Sequence, residues 1–250
     1  LSLLCKPQID PYFFEHSLGQ LTENIKAYRL LQAPPAGEQC TLLTLCRDPF
    51  DWFRSAIGQE IEGHMSSLSY SLSSAGVHVD PENQADIVQR GLELLMLRIT
   101  QALQHVNTLD DLTVEVRRSL DQHLNFPDTK SFEDFLFLLG RFLQPHFWFA
   151  SQFQPVMGFG LNDLESVSDG LWRFATDRQD AYLLRYESMP HAYHSLMETL
   201  AIDAPPELER ANIGEEKPFA EAIQTAFSTT VAQTLKELST SNASRCLGYS

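Results

Sequence analysis

The chain has 250 residues, 43% of them hydrophobic and 20% charged, enough apolar material for a sizeable core and too much for a disordered chain. Its formal net charge is −15 with only 18 basic residues, so it lacks the broad basic surface that nucleic acid or an anionic membrane requires. An anionic small molecule stays open to it, provided a few local Arg or Lys residues meet the charge. No apolar run reaches membrane-spanning length and no export signal is visible, which makes the cytoplasm the expected compartment. The first residue is Leu1, so the chain reads as a fragment or a processed product. Cys5, Cys40, Cys46 and Cys246 form no CxxC pair, which argues against zinc, and buried free thiols are expected rather than a disulfide. Asn242-Ala243-Ser244 fits the short glycosylation pattern.

In chain order, residues 17–32 predict a helix with Leu18, Leu21, Ile25, Tyr28 and Leu31 along one side. Pro34, Pro35 and Gly37 predict a loop. Thr41 to Cys46 is a short apolar run bounded by turn signals, the pattern of a buried strand. Asp48 suits a helix N-cap and Pro49 the first turn, after which Phe50, Phe53, Ile57 and Ile61 recur at helical spacing. The Ser-rich stretch from Ser66 to Ser74 is expected to be a loop. Pro81 and Glu82 are expected to open a helix reaching about Val106, its core stripe being Ile87, Leu92, Leu95, Ile99, Leu103 and Val106. Further helices are expected over 110–124 and over 131–143, the latter with Phe132, Phe135, Leu139 and Phe142 on one face. Residues 145–176 read as aromatic-rich and irregular. Tyr182 to Tyr186 is a second apolar run of strand length, and Pro190 starts a helix to about Leu200. After a loop over 204–218, the last helix is expected from Phe219 to Leu238, aligning Phe219, Ile223, Phe227, Val231 and Leu235. Strands alternating with helices predict an α/β fold with a short parallel sheet, in a single domain over 1–250 with a helical excursion at about 60–145.

Asp48 and Pro49 make the strand-to-helix junction sharp, which leaves Arg47 at the carboxyl end of the strand, where open α/β sheets take their ligands. Ser55 follows within the first turns of the next helix. An arginine at a strand end with a helix-borne hydroxyl can clamp an anion, the Arg supplying charge and a planar donor fork and the Ser a neutral donor. The alternative is an Arg47 salt-bridged to Asp48 or Asp51, with an ordinary helical serine.

"LLTLCRDPFDWFRSAI" resembles the 3′-phosphate-binding segment of the sulfotransferases: an apolar strand, Arg, usually Asp or Asn, Pro, and a Ser eight residues after the Arg. Later stretches, in the same order, are similar to bacterial sulfotransferase-like proteins of capsular polysaccharide synthesis: Trp148-Phe149 with "QPVMGFGL", "YLLRYESM", "ANIGEEKPFAEAI" and "SRCLGYS". The resemblance covers about residues 20–250, least clearly over 60–125. It implies a P-loop-type three-layer fold and transfer of a sulfuryl group from 3′-phosphoadenosine 5′-phosphosulfate, the co-substrate, to a hydroxyl, expected on a saccharide. It puts Arg47 and Ser55 on the 3′-phosphate and implies no metal.

Two departures accompany it. The family's phosphosulfate loop, a Lys among Gly, Ser and Thr, is missing; "KPQIDPYF" has Lys6 without that context, and the loop is expected upstream of Leu1. Many members carry an Arg five residues after the first, where this chain has Trp52, with Arg54 two further on. The base of such enzymes is often His or Glu; His16, His146, His191 and His194 are candidates beside a surface or structural reading, and the catalytic residue stays unassigned. Arg185 and Glu187 are expected on one face of the second strand, as an ion pair or a substrate contact. Asn212, Gly214 and Lys217 could cover the nucleotide or simply lead into the Pro218 helix. Trp148 and Phe149 read as core or as a sugar platform. Beside the transferase stand a non-catalytic interaction domain that has lost the donor loop, and a nucleotide kinase, for which no GxxxxGK[ST] appears.

Overall fold

The computed structural model describes residues 2–3, 40–104, 138–146, 149, 154, 158–177, 179–203, 217–239 and 242–249. The helices expected over 17–32 and 110–124, and the first half of that over 131–143, lie outside these residues. In chain order the elements are β1 (Ser2–Leu3), β2 (Cys40–Cys46), α1 (Pro49–Glu60), α2 (Met65–Ser74) and α3 (Gln84–Leu103). Residues 138–146 are helical (α4). There follow β3 (Glu165–Ser168), β4 (Leu171–Ala175), β5 (Gln179–Arg185) and α5 (Met189–Thr199). The last elements are α6 (Ala220–Phe227), α7 (Thr230–Leu238) and α8 (Asn242–Cys246). Short 3₁₀ turns cover Ile61–His64, Leu161–Asp163 and Tyr186–Ser188. The chain divides into two compact units, one of Leu1–Asp48 with Trp148–Glu209, the other of Pro49–Phe147 with Arg210–Ser250.

The first unit holds a five-stranded mixed sheet in the order β1-β2-β5-β4-β3. β2 and β5 run parallel over seven residues, Cys40 opposite Gln179 through Cys46 opposite Arg185. The other ladders are antiparallel, so the expected parallel sheet is realised in this pair. The reason lies in the connections. The long excursion between β2 and β5 allows a parallel return, whereas residues 176–178 between β4 and β5 are far shorter than the dozen or so a parallel crossover needs. One sheet face, with Leu171, Tyr182 and Leu184, is covered by Ala192, Leu196 and Met197 of α5. On the opposite face Leu42, Ala181 and Leu183 are also buried, which explains why β2 and β5 read as continuous apolar runs.

The β3–β4 hairpin arises within residues expected to be irregular. Asp169-Gly170 is a tight-turn signal. Gly170 has φ +75°, and a Cβ there would lie 2.5 Å from the Ser188 Cβ, so only glycine fits.

In the second unit α2, α6 and α7 pack on α3, and α1 packs on α6. The core joins Phe53, Ile57, Leu92, Met96, Ile99, Phe142, Phe227 and Leu235. Phe53 meets Phe142 edge-on at 5.5 Å between centroids and Phe227 at 5.6 Å. Ile87, Leu92, Leu95, Ile99 and Leu103 are buried as their spacing predicts. The helix starts later than Pro81, at Gln84, because the Asn83 Oδ1 accepts the Asp86 N–H at 3.2 Å and caps it. The Ser-rich stretch is helical rather than a loop: Leu68 and Leu72 supply an i, i+4 apolar pair, and Gly91 lets α3 approach Leu68. The expected final helix is two, broken at Ser228-Thr229. Thr229 is extended, and its Oγ1 accepts the Ala232 N–H at 3.3 Å, so α7 carries its own cap.

Candidate active site at the end of the parallel strands

β2 ends at Cys46, whose buried thiol donates to the Leu184 carbonyl of β5 at 3.4 Å. Arg47, half-buried, is the first residue past the ladder. Its Cζ lies 4.8 Å from the centroid of the Tyr186 ring. Its Nε–H is buried without an acceptor among the described residues, and it enters no ion pair among those of its own unit. The bridge from Arg47 to Asp48 is therefore not formed. Asp48 is buried and its backbone N–H donates to Glu187 Oε1 at 2.9 Å. Asp51, the other expected partner, pairs with Arg54 at 3.1 Å.

Ser55 is half-buried on α1. The unit boundary falls between Asp48 and Pro49, so Arg47 belongs to the sheet unit and Ser55 to the helical unit. Arg54, besides meeting Asp51, donates to Gln224 Oε1 at 3.1 Å and so stays with its own unit. Lys217 is half-buried near Gly58, while Asn212 and Gly214 lie outside the described residues.

The end of β5 differs from its expected form. The strand stops at Arg185, and Glu187 sits in the 3₁₀ turn that leads into α5, so the two residues do not share a strand face. The Arg185 N–H donates to the Gly170 carbonyl at 2.8 Å, closing the hairpin side. Its side chain pairs with Asp169 at 2.9 Å and donates to Ser188 Oγ at 3.0 and 2.7 Å. Arg185 is thus a structural ion pair and Glu187 a backbone acceptor.

The chain matches no family model, no curated protein and no solved structure. What the site can do rests on its own residues.

Of the four candidate histidines, His146, His191 and His194 fall among the described residues. His146 is only 4% exposed in the helical core, packed 5.4 Å from the Phe142 ring, and neither ring nitrogen has a hydrogen-bond partner among the described residues. Burial pushes its pKa down to about 4, so the ring is neutral. His191 and His194 are exposed on α5, His194 lying 3.3 Å from Glu198 one turn on. His16 and Trp148 lie outside the described residues, and Phe149 is buried like a core residue.

At the opposite end of β5, Arg173 donates to both Asp180 oxygens at 2.6 and 3.0 Å, and the Tyr182 hydroxyl donates to Asp180 Oδ2 at 2.9 Å. Burial first, then the bond to Asp180, pushes the Tyr182 phenol up to about 12. This group is internally satisfied and reads as structural. No cluster of three or more metal-ligating side chains forms, and no helix is long and apolar enough to cross a membrane, among the described residues.

Sequence reasoning missed Tyr186 as a partner of Arg47. Arg47 and Tyr186 each directly follow the last paired residues of their strands, Cys46 and Arg185, so the register of the parallel ladder, which spacing alone does not reveal, sets them side by side.

Proposed function

We propose that this chain is a sulfotransferase-like protein of the P-loop type, moving a sulfuryl group from 3′-phosphoadenosine 5′-phosphosulfate to a saccharide hydroxyl. The observation that carries the reading is Arg47 at the carboxyl end of a parallel strand pair, where among the described residues of its unit it has no ion pair and its buried Nε–H has no acceptor. A buried donor without an acceptor carries a standing cost that an anion oxygen would relieve. The order of motifs from Arg47 to "SRCLGYS" supports 3′-phosphoadenosine 5′-phosphosulfate as the donor. In the reaction the acceptor oxygen bonds to sulfur as the sulfur–oxygen bond to the 5′-phosphate breaks, and the hydroxyl proton passes to a general base. Arg47 would hold the 3′-phosphate, so its contribution is positioning and charge, and the resemblance gives Ser55 the same ligand.

Calorimetry with the product, 3′-phosphoadenosine 5′-phosphate, tests the reading. Arg47→Ala should weaken binding roughly tenfold to a hundredfold, the worth of hydrogen bonds to a charged group at about 1.5–3 kcal/mol. Ser55→Ala should weaken it less. Equal binding by wild type and Arg47→Ala overturns the assignment.

A further inference from the structure

Tyr186 is 50% exposed, so it adds little to the core, yet its surroundings are tightly fixed. The turn that carries it is held from both sides. Glu187 Oε1 accepts the N–H of Asp48, the residue directly after Arg47, at 2.9 Å. Ser188 Oγ accepts from Arg185 and donates to Asp169 Oδ2 at 3.3 Å, and the Ser188 Cβ sits where a side chain on Gly170 would have to go. The β3–β4 hairpin thereby sets the turn, and the turn sets the ring over which the Arg47 guanidinium lies. An arginine side chain has about 2 kcal/mol of rotamer entropy to lose on gripping a ligand. A ring already stacked on one guanidinium face removes part of that loss before the ligand arrives and leaves the N–H edge in the plane for an anion.

We infer that Tyr186 is a positioning residue for Arg47, holding its guanidinium ready for an anion, with Glu187 fixing the turn to the end of β2. The inference rests on the reading of Arg47 as the anion-binding group. It makes the strength of the site depend on a residue that needs no contact with the anion.

Two measurements decide it. In ¹⁵N-labelled protein the Arg47 Nε–H signal, identified by its loss in Arg47→Ala, reports the stacking without any ligand. Tyr186→Ala should move that signal as the ring current disappears and raise the side chain's mobility, whereas Tyr186→Phe should keep both; Glu187→Ala should raise mobility and Glu187→Gln, which still offers an acceptor oxygen, should not. In calorimetry with 3′-phosphoadenosine 5′-phosphate, Tyr186→Ala should weaken binding about fivefold. Tyr186→Phe should bind as wild type does, and the double variant with Arg47→Ala should bind no more weakly than Arg47→Ala alone. An unmoved and equally ordered Arg47 signal in Tyr186→Ala overturns the proposal, as do additive losses in the double variant. A wild type that ignores the bisphosphate sinks the reading of the anion, while the Arg47 signal still decides whether Tyr186 holds it.

Discussion

A histidine sealed in an apolar core, with neither nitrogen partnered among the described residues, has one stable protonation state. His146 stays neutral because charging it would bury a cation, which is why its pKa falls from 6.5 to about 4. The unfolded chain, by contrast, takes up a proton near its ordinary value. Between these two values the unfolded state binds more protons than the folded one, so stability is full above about pH 6.5 and falls as pH drops toward 4. The whole window is worth about 3 kcal/mol, of which about 2 should be gone by about pH 5. Urea unfolding of wild type and His146→Phe at neutral and mildly acidic pH checks this, since the carboxylates are common to both; parallel pH profiles would falsify it. At this scale the sequence was partly legible. Arg47 stood out because a charged residue interrupted an apolar run directly before Asp-Pro. Tyr186 did not, because its relation to Arg47 depends on a pairing register across a gap like the 139 residues between Asp48 and Glu187. His146 offered no sign of its isolation, since spacing reveals which face a residue takes and not whether its nitrogens find partners.

Elements show where composition misleads. Serines at 66–74 suggested a loop because Ser favours caps and turns when exposed, yet the apolar pair Leu68 and Leu72 faces α3 and tertiary packing outweighs the weak propensity. The opposite happened at 219–238, where a continuous apolar stripe concealed the break at Ser228-Thr229. That break has a testable energy. The Thr229 Oγ1 accepts the Ala232 N–H and donates to the Ala226 carbonyl at 2.8 Å, joining the end of α6 to the start of α7. Thr229→Ala should cost about 1 kcal/mol in denaturant unfolding, and Thr229→Ser a small part of that. A neutral Thr229→Ala would mean that packing on α3 alone sets the break. The strands β2 and β5 and the helices α1, α3 and α5 were legible because apolar period and breakers agreed there. β3 was not, because Glu165, Ser166 and Val167 are exposed and carry no apolar alternation.

For the whole molecule the dominant fact is its charge. At −15 the chain repels an anionic ligand at long range, whatever attraction the proposed role of Arg47 supplies at contact. Raising salt from about 10 mM to about 150 mM shortens the screening length from about 30 Å to about 8 Å. The distant repulsion is screened before the close pairing, so the association rate of 3′-phosphoadenosine 5′-phosphate should rise over that range in stopped-flow experiments. A falling rate would show that local positive potential governs the approach. The sequence disclosed this balance fully, since it needs only a residue count. It disclosed the α/β class and the parallel pair as well, but not the antiparallel β4–β5 ladder, which follows from a connection only three residues long.

The two ion pairs on β5 have a consequence for error in folding. A strand that slips by two residues keeps every side chain on its proper face, so hydrophobic burial alone does not forbid that mistake. Arg173 with Asp180 marks one end of β5 and Arg185 with Asp169 the other, and sliding β5 along β4 would separate both at once. The thiol of Cys46 on the Leu184 carbonyl and the Asp48 N–H on Glu187 mark the same alignment against β2. β5 thus behaves as a graduated rule fixed at both ends, and the place where Arg47 meets Tyr186 is one of its divisions.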